Sequence, residues 1–185
     1  MTERPTPTDP FKLFAGLDLR KAPPVERWNP PFCGDLDMRI ARDGTWFYLG
    51  SPIGRLPMVK LFASVLKRED GRYYLVTPVE KVGIKVDDAP FVAVEVRATG
   101  AGADTNLAFR TNVDDVVTAG PDHAIRVEID PETQEPSPYI HVRRGLEALI
   151  GRAVFYELVN MAEERDGQLG VWSGGQFFTL GRPHG

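Results

Sequence analysis

Three groups of side chains in this 185-residue chain have the types and spacing that chemistry requires. The first is Gly50-Ser51-Pro52-Ile53-Gly54-Arg55, immediately before an expected helix. Unpaired N–H groups at a helix start, together with the positive end of its dipole, attract anions, and Arg55 would add a full charge. Ser51, Gly54 and Arg55 are therefore candidates for holding a small anionic ligand. The same residues have a plainer use, in which Ser51 or Gly54 caps the helix and Pro52 shapes the turn. The GxxxxGK(S/T) spacing of a phosphate loop is missing.

The second group is Glu80, Lys81 and Asp87, in two polar segments near an aromatic strand. Glu80 or Asp87 beside Lys81 would make an acid/base pair if a pocket brought them together, because proximity tunes such groups. Otherwise Glu80 and Lys81 are solvated loop charges, and Asp87-Asp88-Ala89-Pro90 is a turn. The third group is basic. Arg143, Arg144 and Arg152 form the densest cluster of cations, with Arg144 and Arg152 expected two turns apart on a helix that also carries Glu147, Glu157, Glu163 and Glu164 as local ion-pair partners. His123, His141 and His184 fit no HxH or HExxH spacing, so no metal, no cofactor and no catalytic residue is expected. GxSxG is absent, and Gly100 to Gly102 make no dinucleotide fingerprint.

Composition narrows the class of partner. Hydrophobic residues make up 42% and charged residues 26%, with a net charge of -4, so the chain can bury a core but has no global basic field for nucleic acid. Cys33 is the single cysteine and cannot form an internal disulfide, which suits a reducing cytoplasm. Neither an export signal nor a run of about eighteen apolar residues occurs, so no membrane partner is expected.

The elements that must position these residues follow from periodicity. Met1 to Pro10 reads as a mobile arm, and Phe11, Phe14 and Leu17 as a short docking turn. Prolines at 23, 24, 30 and 31 then predict an extended strap pinned by Trp28, Phe32 and Cys33. Alternation on both sides of Asp43-Gly44 predicts a hairpin ending near Leu49. Leu56, Val59, Phe62, Ala63 and Leu66 predict a helix from about Arg55 to Lys67 with Pro57 in its first turn, closed by Asp70-Gly71. Strands follow at Tyr73 to Val76 and Val82 to Val86, and a hairpin spans Phe91 to Thr111. The second half repeats this order: a hairpin from Ala124 to Arg143, a helix over Leu146, Leu149, Ile150, Ala153, Val154, Leu158 and Met161, and closing strands around Gly174-Gly175. The fold expected is α+β, two similar and internally duplicated units of mostly antiparallel strands, each on one helix. Its divisions are an arm and strap over 1–35, a first unit over 36–89, and a linking hairpin with a second unit over 90–185.

The strings PPVERWNPPFCGDLDMRIARDGTWFYLGSPIGR and YYLVTPVEKVGIKVDDAPF resemble the bacterial domain-of-unknown-function family number 1285 over nearly the whole chain after the arm. The resemblance implies a two-part α+β structure with repeated motifs and a link to signalling. It brings no catalytic residues. Two functions follow as expectations. One is a non-catalytic cytoplasmic module that binds a protein partner or small anionic ligand, in signal transduction. The other is a small enzyme acting on an anionic metabolite, with Arg55, Glu80, Lys81 and Asp87 in a pocket. Open strands such as Gln176 to Leu180 would also let two copies pair as a homodimer.

Overall fold

The structure, a computed structural model, describes residues 9–12, 14 and 22–183. The expected arm over Met1 to Pro10 lies outside the described residues except for Asp9 and Pro10, and so does Leu17 of the docking turn. The chain divides into two compact units between Asp87 and Asp88.

In the first unit the strands are β1 (Phe32–Ile40), β2 (Trp46–Tyr48) and β3 (Ser51–Pro52), then helix α1 (Leu56–Ser64), then β4 (Leu66–Glu69), β5 (Arg72–Val76) and β6 (Lys81–Val86). They form one sheet in the order β3-β2-β1-β6-β5-β4. Each neighbouring pair is antiparallel except β1 with β6, which run parallel. The Asp43-Gly44 hairpin is present: Asp43 Oδ1 accepts the Thr45 N–H at 2.9 Å, and Ile40 faces Trp46 across the pair. Met38, Ile40, Trp46, Leu75 and Val82 bury one face of the sheet, and the Trp46 ring stacks on Phe62 of α1 at 6.1 Å between centroids.

Three expectations for this unit change. The strap ends earlier than expected, because β1 begins at Phe32, whose side chain is 47% exposed; Val25, fully buried, and Pro30 anchor the segment instead. Leu49-Gly50 turns the chain back into the short β3, so Ser51 is a strand residue and caps nothing. The helix stops at Ser64. Leu66 fits helical spacing, but it also fits a strand, and there it pairs with Leu75 and is fully buried. Asp70-Gly71, both with positive φ (49° and 77°), is therefore a two-residue hairpin turn between β4 and β5 rather than a helix end.

The second unit holds β7 (Phe91–Thr99), β8 (Asn106–Thr111), β9 (Val116–Thr118), β10 (Ile125–Ile129), β11 (Pro136–Arg143), β12 (Leu146–Ile150), helix α2 (Arg152–Met161), β13 (Glu163–Arg165), β14 (Gln168–Ser173) and β15 (Gln176–Gly181). One sheet runs β10-β11-β12-β7-β8-β9 and a smaller one β13-β14-β15. The long helix expected from Leu146 is two elements. Arg144-Gly145, again with both φ positive (46° and 74°), folds the chain back so that Leu146, Ala148 and Ile150 bury one face of β12. The helix starts only after Gly151. Arg144 is thus a turn residue, Glu147 lies on β12, and Glu163 and Glu164 lie on β13, so the expected helical cluster of charges does not form.

The fold is α+β, with sheets of mostly antiparallel strands and one α-helix in each unit, as expected. The repeat is real in space but out of step with the order in sequence. Both six-stranded sheets place a three-strand meander on each side of a central parallel pair, β1 with β6 and β7 with β12. In sequence, however, meander-helix-meander recurs at β1 to β6 and at β10 to β15, and the last three strands form a sheet of their own.

Within the second unit, Ser173 ties the small sheet to the large one. Its buried hydroxyl donates to Ala119 O at 2.7 Å and accepts the Leu107 N–H at 2.8 Å. The next residue, Gly174, has φ of 60°, and a Cβ there would lie 2.8 Å from Ala119 O and 2.9 Å from Gly120 Cα. Its neighbour Gly175 has φ of 78° and open space around it. Replacing Gly174 with Ala should therefore destabilise the protein by about 2–4 kcal/mol, against about 1–2 kcal/mol for Gly175→Ala, by chemical denaturation. Equal losses would contradict the close approach.

Candidate functional site

The residues singled out from the sequence fall in three places in the first unit. Ser51, Gly54 and Arg55 line a surface hollow of about 350 Å³ at the start of α1, shared with Tyr48 and Met58. Arg55 occupies the N-cap position with an extended backbone, and no side chain caps the helix. Lys81 sits on the sheet face away from α1. Its ammonium binds Glu69 Oε2 at 3.0 Å, Lys67 binds Glu69 Oε1 at 3.0 Å, and the Lys81 Nζ lies 4.9 Å from the Tyr74 ring centroid. Lys67, then Lys81, holds the Glu69 carboxyl below its ordinary value.

Glu80 closes a tight loop, with its N–H donating to Thr77 Oγ1 at 3.1 Å and its carbonyl accepting from Thr77 N at 2.8 Å. Asp87 follows the far end of β6 and pairs with Arg39, whose guanidinium covers the Phe47 ring at 4.6 Å. Lys81 and Asp87 are thus separated by the length of β6, about 20 Å for a six-residue strand. The structure does not gather Arg55, Glu80, Lys81 and Asp87 into one pocket.

The histidines come together in the second unit, with the His123 and His141 rings 5.9 Å apart. His184 lies outside the described residues. His141 Nε2 accepts the Gly145 N–H at 3.0 Å, so its Nδ1–H donates to Asp122 O at 3.0 Å. Both nitrogens of this ring serve main-chain structure. Of the arginine cluster, Arg143 pairs with Asp115 and covers the Phe91 ring at 5.1 Å.

A further candidate site was not foreseen. It is a hollow of about 630 Å³ in the second unit. Helix α2 makes one wall: Val154 and Leu158 form the buried stripe, and the next stripe round the helix, Phe155 and Val159, lines the hollow. The β10–β11 hairpin contributes Ile129, Gln134 and Pro136. Leu169, Gln168 and Leu180 come from the small sheet, and Arg182 from the segment after β15. Ile129 and Val159 remain 47% and 39% exposed, so apolar area that could have been covered is left open to solvent. The sequence signal was the i, i+4 pair Phe155 and Val159, beside the core stripe and unaccounted for by it.

The hairpin wall is held by Asp130. Its Oδ1 accepts the N–H groups of Glu132 at 2.8 Å and Thr133 at 2.9 Å, an arrangement that lets Gln134 take a positive φ of 60°. Gln134 Nε2 then donates to Pro131 O at 3.2 Å, which leaves its carbonyl oxygen as an acceptor. The Thr133 and Glu132 amides hold the Asp130 carboxyl below its ordinary value.

These observations define a chain of two α+β units built on meander sheets, the second with an apolar hollow. The family model described as the N-terminal domain of DUF1285, a domain of unknown function, matches residues 23–89, and the one for the C-terminal domain of DUF1285, a protein of unknown function, matches 90–180. The chain belongs to the DUF1285 family. It is similar to the crystal structure of a DUF1285 family protein from Silicibacter pomeroyi DSS-3, with 55% identity, a TM-score of 0.91, and coverage of 96% of this chain and 97% of that one. A second such structure, from Shewanella baltica OS155, is 32% identical with a TM-score of 0.54 over 68% of this chain and 91% of that one. No curated protein matches the chain.

Because Asp130 is lowered from 3.8, its loop-ordering contribution is fully present above about that pH and is lost as pH falls through the folded-state value. The amide resonances of Glu132 and Thr133, followed by NMR from neutral pH downward, should move with a midpoint below 3.8 and should not titrate this way in Asp130→Ala. A midpoint at or above 3.8 would contradict the assignment.

Proposed function

We propose that the chain is a non-catalytic cytoplasmic binding module that takes a small ligand in the hollow of its second unit, in a signalling role of the kind the family resemblance implies. The observation that carries this reading is the hollow itself. Its volume falls in the range of about 300–1,000 Å³ typical of small-molecule sites, and its walls are mainly apolar with a few polar groups. Its walls come from a hairpin, a helix and a separate small sheet, an arrangement in which a bound molecule is held by several rigid elements at once. The separation of Arg55, Lys81 and Asp87 favours binding over the acid/base chemistry of the enzyme reading. A single unpaired thiol, Cys33, suits the cytoplasm.

Native mass spectrometry of protein purified from its natural host tests the proposal. The wild-type chain should carry a retained small-molecule mass that is absent from Val159→Glu, a change at an exposed helix position that leaves the core stripe Val154 and Leu158 intact. A wild-type chain of unliganded mass, or a mass kept by the variant, would remove the hollow as the binding site.

A further inference from the structure

We infer that the hollow of the second unit selects a single-chain amphipathic anion, an apolar tail with one carboxylate head, and that Arg182 recognises the head. This deepens the proposed binding function and rests on it. Among the described residues that line the hollow, Arg182 carries the sole formal charge, and no acidic side chain is among them. No carboxylate of the described residues pairs with Arg182, in contrast to Arg39, Arg110, Arg126 and Arg143, which are all held in ion pairs. A guanidinium with no carboxylate partner among the described residues, at the rim of an apolar cavity, is complementary to a carboxylate, which it can grip through two parallel N–H···O bonds.

The remaining walls set the rest of the ligand. Phe155, Val159, Leu169 and Leu180 offer contacts that reward a hydrocarbon tail, worth about 0.8 kcal/mol for each methylene removed from water. Gln134 and Gln168 are neutral, and the free carbonyl oxygen of Gln134 can accept a hydrogen bond. A cationic amphiphile would bring its head beside Arg182 with no anion to balance it. A neutral alcohol would satisfy the tail and leave the guanidinium without its partner. The order expected is anion, then alcohol, then cation.

The test uses the full chain with three probes of one tail length, decanoate, decan-1-ol and decyltrimethylammonium, each below its aggregation concentration and read by calorimetry. Decanoate should bind at least tenfold more tightly than decanol, and decyltrimethylammonium should not bind. Arg182→Gln should lower decanoate affinity to that of decanol and leave decanol unchanged, whereas Arg182→Lys should retain part of the preference. Val159→Glu should weaken decanoate and decanol alike. Equal binding of the three probes by the wild-type chain, or an unchanged preference in Arg182→Gln, would overturn the assignment. Co-sedimentation of the wild-type chain with phosphatidylglycerol vesicles, lost in Arg182→Gln, would also overturn it in favour of a membrane surface. A retained native ligand with no preference for anions defeats the ligand class alone. No retained ligand and no probe binding defeats the binding module as well.

Discussion

Each six-stranded sheet depends on the parallel pairing of its first strand with its sixth. The other neighbours in these sheets are joined by local hairpins, which need little more than a turn and an apolar face. The pairs β1 with β6 and β7 with β12 bring together segments far apart in the chain, and without them each sheet is two separate meanders of three strands. Three strands with one face covered are close to the lower limit of independent stability. The central position is therefore built with care for close approach. Gly83 of β6 lets the Asp35 side chain lie over the strand: a Cβ at Gly83 would come within 2.1 Å of Asp35 Oδ1. That placement leaves Asp35 free to pair with Arg72 at 3.1 Å. In the second unit the Gly151 N–H donates to Ala93 O at 3.1 Å, so the residue that begins the helix also fastens the end of β12 to β7.

The two units solve the passage between meanders differently. In the first, α1 fills the connection and covers the buried face with Phe62 and Val59. In the second, the chain passes from β9 to β10 in a short loop closed by the Gly120–His123 bridge, and the imidazole of His141 fastens Asp122 in that loop to Gly145 in the β11–β12 turn. The helix is then available after the sheet is complete. It packs against β7 and β14, and it has a stripe to spare. The hollow is a product of that displacement, since α2 is covered on one side by the large sheet and on the other only in part.

Local features were legible in the sequence and long-range ones were not. Asp43-Gly44 and Gly174-Gly175 announced their hairpins because so few residues adopt left-handed turns, and the fold class followed from the strand-and-helix order. Leu146 to Ile150 misled because a run of apolar residues satisfies helical and strand periods alike, and the deciding information was Arg144-Gly145 just before it. Leu66 misled for the same reason. Ser51 and Arg55 were found as neighbours of a helix start, which spacing reveals, whereas the distance from Arg55 to Asp87 depends on strand order, which spacing does not. The hollow draws on residues from Ile129 to Pro183 on three kinds of element, and no window of sequence contains it.

The outer strands of the described sheets have a consequence for what can attach to them. β3 is two residues long and contains a proline, β9 and β13 are three residues each, and β13 reads Glu-Glu-Arg. β4 carries Lys67, Arg68 and Glu69, β10 carries Arg126 and Glu128, and β15, the longest of them, runs against β10. Short, charged or covered margins give an extended peptide little backbone to hydrogen-bond along, so these sheets resist lengthening by strand addition and the fibrillar growth that follows from it. What the described margins offer another molecule is chiefly side chains rather than main chain.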